Sequence, residues 1–183
     1  MWKQIVTYHL EMTHPSQLVP ARKPHIAFSL AQVELPCPPL NRFLYAAVGG
    51  DWYWLDRLGW SYAQWQSYLE REGVETWAAY VSGTPAGYFE LETQADGNVE
   101  IAYFGLLPQF IGQGLGAALL TATVERAWAI GARRVWVHTC SLDHPNALLG
   151  YQARGFRVFD IVHTEQDLPE RSPGPWPGAF PED

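Results

Sequence analysis

The 183-residue chain has only two cysteines, Cys37 and Cys140. Neither belongs to a CxxC pair or joins a His/Cys cluster with metal-ligand spacing, so the sequence offers no disulfide framework and no metal site. Two isolated thiols fit a reducing compartment, and the expected location is the cytoplasm. Cys140 ends an apparent strand and reads as a packed thiol. Basic residues are scarce too: 12 Lys and Arg stand against 19 Asp and Glu, a net charge of −7. Nucleic acid is therefore not an expected partner, because phosphate binding needs clustered Lys and Arg. An acidic surface instead tolerates or attracts a cationic substrate such as an amine. No stretch reaches the ~20 apolar residues of a membrane span, and MWKQIVTYHLEM at the start lacks an unbroken apolar run, so no membrane partner is expected. His9, His14, His25 and His163 form no cluster, His138 sits within an apparent strand and reads as packed, and no Ser-His-Asp arrangement is readable.

What is present is a globular composition, 48% apolar and 14% aromatic, in a chain long enough for one core. Strands are expected over 4–11 and 26–34, and a short helix over 41–48. Ser61-Tyr62-Ala63-Gln64 fits a capping box opening a helix that Gly73 stops. Residues 76–81 and 87–93 read as a hairpin around Ser82-Gly83-Thr84-Pro85, and 95–98 as a second turn leading to a strand over 99–106. A helix follows over 114–130, then a strand over 135–140. Asp143 or His144 is expected to cap the next helix, with Pro145 in its first turn, and a last strand covers 156–163. The expectation is a single domain over 1–167 and a proline-rich, irregular or mobile tail over 168–183. An antiparallel meander leading into a β-α-β unit makes the class α/β, in the stricter sense α+β, with a mixed sheet.

Between the strand ending at Leu106 and its following helix lies Ile111-Gly112-Gln113-Gly114-Leu115-Gly116. Glycines let the backbone approach a ligand, and the first helical amides lack internal partners. Together with the helix dipole they make an anion site suited to a pyrophosphate. A Walker loop is excluded, since Leu115 stands where Lys is needed. Gly112-x-Gly114-x-x-Ala117 satisfies a loose dinucleotide pattern, but the following strand ends without an acidic residue and the preceding strands are hairpin-connected. Aromatic Trp52 and Trp54 either pack or wall a substrate site.

VEIAYFGLLPQFIGQGLGAALL, followed by ALLGYQARGF, resembles the GNAT superfamily of acyl-CoA-dependent N-acyltransferases over 99–160. The resemblance implies a mostly antiparallel mixed sheet flanked by helices and splayed at its central strands. It implies acetyl-CoA as cosubstrate, with pyrophosphate on the amides of 111–116. Ile111 departs from the polar residue of the family pattern, but the amides remain. Pantetheine would pair with the backbone of Phe104, Gly105 and Leu106, with Gly105 marking the bulge that opens the gap and Pro108 ending the pairing. His144, at a position where many relatives carry Asn, and nearby Asn146 would contact the carrier. Tyr151 would protonate the departing thiolate or stabilise it by hydrogen bonding. Glu100 is the candidate base, on a face shared by parity with Ala102 and Phe104. Glu90, Glu92 and water remain alternatives for proton removal, and Trp52, Trp54 and Glu90 are candidates for contact with a small-molecule or peptide amine. The expected reaction is acetyl transfer from acetyl-CoA to an amine by direct attack, without an acyl-enzyme. The alternatives are a non-catalytic CoA-binding module and a dinucleotide-binding protein. The family also admits a homodimer.

Overall fold

The computed structural model describes residues 1–179; the last residues of the proline-rich tail, 180–183, lie outside the described residues. Seven strands form one mixed sheet: β1 (Trp2–Met12), β2 (Ser29–Gln32), β3 (Val74–Val81), β4 (Thr84–Thr93), β5 (Asn98–Leu106), β6 (Arg134–Cys140) and β7 (Arg157–Asp167). Their order across the sheet is β2-β3-β4-β5-β6-β1-β7, antiparallel except for β5 beside β6. Helices α1 (Pro38–Gly49) and α2 (Tyr62–Leu69) precede β3, α3 (Leu115–Ala129) joins β5 to β6, and α4 (Ala147–Ala153) joins β6 to β7.

Strand β1 pairs with no strand near it in sequence. Thr7 to Met12 lie opposite Cys140 to Val135 of β6, and Trp2 to Glu11 lie along β7. The β3–β4 hairpin turns on Ser82 and Gly83, both at positive φ (48° and 83°), a primed geometry that matches strand twist. Thr84 and Pro85 thus belong to β4 rather than to the turn, and Pro85 sits where the register shifts between Ala79 and Tyr80, a place that tolerates a missing N–H.

The core divides by sheet face. Leu115, Leu119, Leu120, Val124 and Ala127 of α3 join Tyr151 of α4 and buried residues of the sheet such as Leu10 and Val137 in one cluster. On the other face Leu44, Ala47 and Val48 of α1 meet Ala78 and Tyr88. Each fully buried Leu contributes roughly 1.5–3 kcal/mol. Helix α2 opens on the expected capping box: Gln64 N–H donates to Ser61 Oγ (3.3 Å) and Ser61 N–H donates to Gln64 Oε1 (2.8 Å). Ser61→Ala is expected to cost about 1 kcal/mol, read as a thermal midpoint lower by roughly 2–4 °C.

Helix α4 begins later than expected. Its N-cap is Asn146, and Pro145 precedes it. The Asp143 carboxylate is already taken by Thr139 Oγ1 (2.7 Å) and the Cys140 N–H (2.9 Å), and His144 Nδ1 accepts from the Asn146 N–H (3.1 Å). Residues 168–179 contain no helix or strand but are fastened to the connector between α1 and α2. Ser172 Oγ donates to Gly50 O (2.6 Å), Tyr53 N–H donates to Ser172 Oγ (3.3 Å), and the Tyr53 hydroxyl donates to Glu170 O (2.8 Å).

Candidate active site

Strands β5 and β6 pair only from Asn98–Glu100 to Arg134–Trp136 and then diverge. A register shift drives the divergence. Leu91 of β4 faces Ile101 and Glu90 faces Tyr103, so Ala102 has no partner. One unmatched residue bends a strand and reverses the facing of everything after it. The bulge is therefore at Ala102 and not at Gly105. Gly105 has a different role: a Cβ there would run into Val48 Cγ1, so its absence lets α1 press on β5. The shift also separates Glu100 from the face of Phe104. Phe104 packs into the α3-side cluster, while Tyr103 packs against the α1-side cluster.

The divergence opens a cavity of about 680 Å³. One end is the start of α3, where Ile111, Gly112, Gly114 and Gly116 line the wall. Gly112 (φ 82°) and Gly114 (φ 77°) occupy the left-handed region, which glycine enters without strain, and Gly114 caps the 15-residue helix. The amides of the first turn have no partner inside the helix. Two predicted residues turn their side chains elsewhere. Gln113 Nε2 donates to Gln109 O (2.7 Å), and Leu115 is fully buried in the core. His144 and Asn146 line the wall from the loop before α4.

Tyr151 of α4 lines the cavity and is only 7% exposed, its ring against Phe104 (6.1 Å) and Phe156 (5.9 Å). Burial, and then the negative charge of Asp143, push its phenol far above the ordinary value. It keeps its proton at neutral pH. The same two causes raise the Cys140 thiol, which also lines the cavity and stays protonated.

Glu100 does not reach the cavity wall; His138 does. The Glu100 side chain, 15% exposed, accepts from Gln94 Nε2 (2.7 Å), and its other oxygen stands 3.6 Å from His138 Nδ1. That separation is long for a hydrogen bond but close enough for an ion pair. Contact with Glu100 raises the pKa of His138, whose side chain is 49% exposed. The alternation of β6 puts Trp136, His138 and Cys140 on one face, which was a readable clue. The register that carries His138 past Glu100 was not.

The connector after α1 supplies Trp52, Tyr53, Trp54 and Asp56 to the wall. Trp52 meets His144 edge-on (5.2 Å), and Trp54 lies against Tyr103 (4.9 Å) and Tyr45 (5.5 Å). Glu90 is not at the cavity. It is 0% exposed, and it accepts from Asn41 Nδ2 (3.0 Å) and Arg57 Nη1 (2.7 Å). The Arg57 guanidinium in turn lies over Tyr68 (4.0 Å), Tyr103 (4.3 Å) and Trp60 (4.7 Å). The role of Glu90 is to anchor the connector. Glu92, the other fallback base, pairs with Arg71 (2.6 Å). Among the described residues no group of three or more His, Cys, Asp or Glu is arranged to hold a metal ion, and no helix is long and apolar enough to cross a membrane.

The sequence model of the Acetyltransferase (GNAT) family matches residues 32–156. No curated protein matches the chain in sequence. Among solved structures, a GCN5-related N-acetyltransferase from Kribbella flavida superposes with a TM-score of 0.63 at 21% identity, covering 88% of this chain and 58% of that one. Another from Sphaerobacter thermophilus gives 0.67 at 16% identity, covering 90% and 51%. An aminoglycoside acetyltransferase from an uncultured soil metagenomic sample gives 0.58 at 17% identity, covering 69% and 86%. At such identities the likeness is one of fold, and the chain spans little more than half the length of the Kribbella and Sphaerobacter proteins.

Proposed function

As the chain belongs to the GNAT acetyltransferase family, we propose that it transfers an acetyl group from acetyl-CoA to an amine by direct attack, without an acyl-enzyme. The observation that carries this reading is the opened β5–β6 gap, with the glycine-led start of α3 at one end and Tyr151 inside it. The gap fits the cosubstrate. Past Glu100, β5 has no partner on its β6 side, so backbone groups of 104–106 are available to pantetheine amides. The unpartnered amides of 112–116 suit a pyrophosphate. Acetyl-CoA supplies the acetyl group activated as a thioester. The protonated Cys140 thiol is a poor nucleophile, which favours direct attack over a cysteinyl relay.

The acceptor nitrogen must shed a proton to attack. His138 faces the cavity and Glu100 stands behind it, so Glu100 acts by holding His138 rather than by touching substrate. The other groups around His138 are His9 on β1 (ring centroids 6.0 Å apart), Asp143 after β6 and Asp56 on the connector. The two aspartates reinforce the upward shift. An imidazole accepts a proton only when it is neutral. The rate therefore falls as pH drops through the raised His138 pKa, an acid limb above the ordinary histidine value of about 6.5. Glu100→Gln is expected to move that limb to lower pH and to slow turnover, read from a pH–rate profile. An unmoved limb removes Glu100 from the role.

The overall reading is tested by thermal shift and by mass spectrometry. Acetyl-CoA and CoA are expected to stabilise the chain and NAD is not, and amines are expected to gain an acetyl group. Stabilisation by NAD alone restores the dinucleotide reading. Stabilisation by CoA with no acetylated amine in a broad panel leaves a CoA-binding module.

A further inference from the structure

Resting on acetyl transfer to an amine, we propose that the acceptor is a diamine: a primary amine joined by an apolar spacer to a second cationic nitrogen, which pairs with Asp56 beside the Trp54–Tyr103 wall. Among the described residues two carboxylates line the cavity, Asp56 and Asp143. Asp143 is held by Thr139 and the Cys140 amide. Asp56 has no hydrogen bond or ion pair to any of the described residues. Its neighbour in sequence, Arg57, is turned away into the Glu90 pair.

Asp56 is solvent-exposed, yet its charge faces the cleft. Tyr45 on α1, Tyr103 on β5, and His138 and Cys140 on β6 all feel it as a negative neighbour. Of these, Tyr103 on β5 and His138 and Cys140 on β6 line the same cavity as Asp56. An unpaired carboxylate at that position attracts a positive group and repels an acidic acceptor.

The ring wall points the same way. Indole and phenol faces attract cations. Trp52, Trp54 and Tyr103 line this end, and their apolar area suits methylenes between two charges. The cation held at Asp56 is not the reacting nitrogen, since a carboxylate beside the nucleophile would hold it protonated. The reacting nitrogen must instead give up its proton to His138, so the nitrogen that stays charged at Asp56 is a second one. Among the described residues no Lys or Arg lines this end to bind a substrate carboxylate. Arg154, the cavity's arginine, ends α4 on the opposite face of the sheet. A net charge of −7 steers dications inward.

The test compares kcat/KM of the full chain for linear α,ω-diamines and for linear monoamines of equal carbon number, with acetyl-CoA saturating. The expected result is a preference for diamines of about tenfold or more, shrinking with added salt. Asp56→Asn is expected to bring the diamine-to-monoamine ratio close to one, and Asp56→Glu to keep most of it. Thermal unfolding checks that each variant is folded. Equal turnover of the two series by the wild type, or a ratio unchanged in Asp56→Asn, overturns the diamine assignment and leaves acetyl transfer standing. Absence of turnover with every amine, although acetyl-CoA binds, overturns both.

Discussion

Replacing Tyr151 by Phe is expected to lower kcat by about 100-fold, the scale of losing one hydrogen bond to developing charge in a dry site, with little change in affinity for acetyl-CoA. The sign of the phenol's shift decides its role. A departing thiol has an ordinary pKa of about 8.5, and the Tyr151 phenol lies far above that because it is buried and faces Asp143. Full proton transfer from phenol to sulfur is therefore uphill, and the role we propose for the hydroxyl is that of a hydrogen-bond donor to charge forming on sulfur. The Phe ring preserves the contacts with Phe104 and Phe156, so the fold persists. Steady-state kinetics checks this, and a loss confined to the acetyl-CoA KM would make Tyr151 a binding residue only.

Glu90→Gln is the substitution expected to harm stability most. It leaves the Arg57 guanidinium buried without its counter-charge, and breaking a buried pair from one side costs about 3–5 kcal/mol. For a chain of this size that is a thermal midpoint lower by roughly 6–20 °C. Activity is expected to suffer with it, because Arg57 anchors the connector that carries Trp54 and Asp56 to the cavity. Arg57→Met combined with Glu90→Gln removes both charges and is expected to recover part of the loss. Differential scanning calorimetry of the two single variants and the double variant gives the coupling between them. Additive losses would mean that the pair does not hold the connector.

Features set by local periodicity were legible in the sequence. The capping box at Ser61, the strand into the glycine turn and the apolar face of α3 each depend on residues within one or two turns of one another, and each appears where expected. The Ala102 bulge was not legible, because it exists only as a mismatch with the register of β4. Parity counted through it put Glu100 on the wrong face relative to Phe104. His138 and Asp56 were missed for a related reason. Neither carries a motif, and each acquires meaning only from a partner on another element. Glu90 shows the converse: a carboxylate on a strand beside the expected base looked available, and burial under Arg57 and Asn41 removes it from chemistry.

Strand β1 leaves the ribosome well before the strands it pairs with, β6 and β7, have been made. The β2–β5 meander and its helices can assemble as they emerge, but β1 must wait with both edges bare. The wall that carries His138 is thus completed only after the last strand arrives, and a nascent chain stalled before Arg134 would hold a glycine turn and a connector but no cleft. Pulse-labelled exchange should accordingly find the amides of β1 protected late, together with those of β6 and β7, after the meander has already closed.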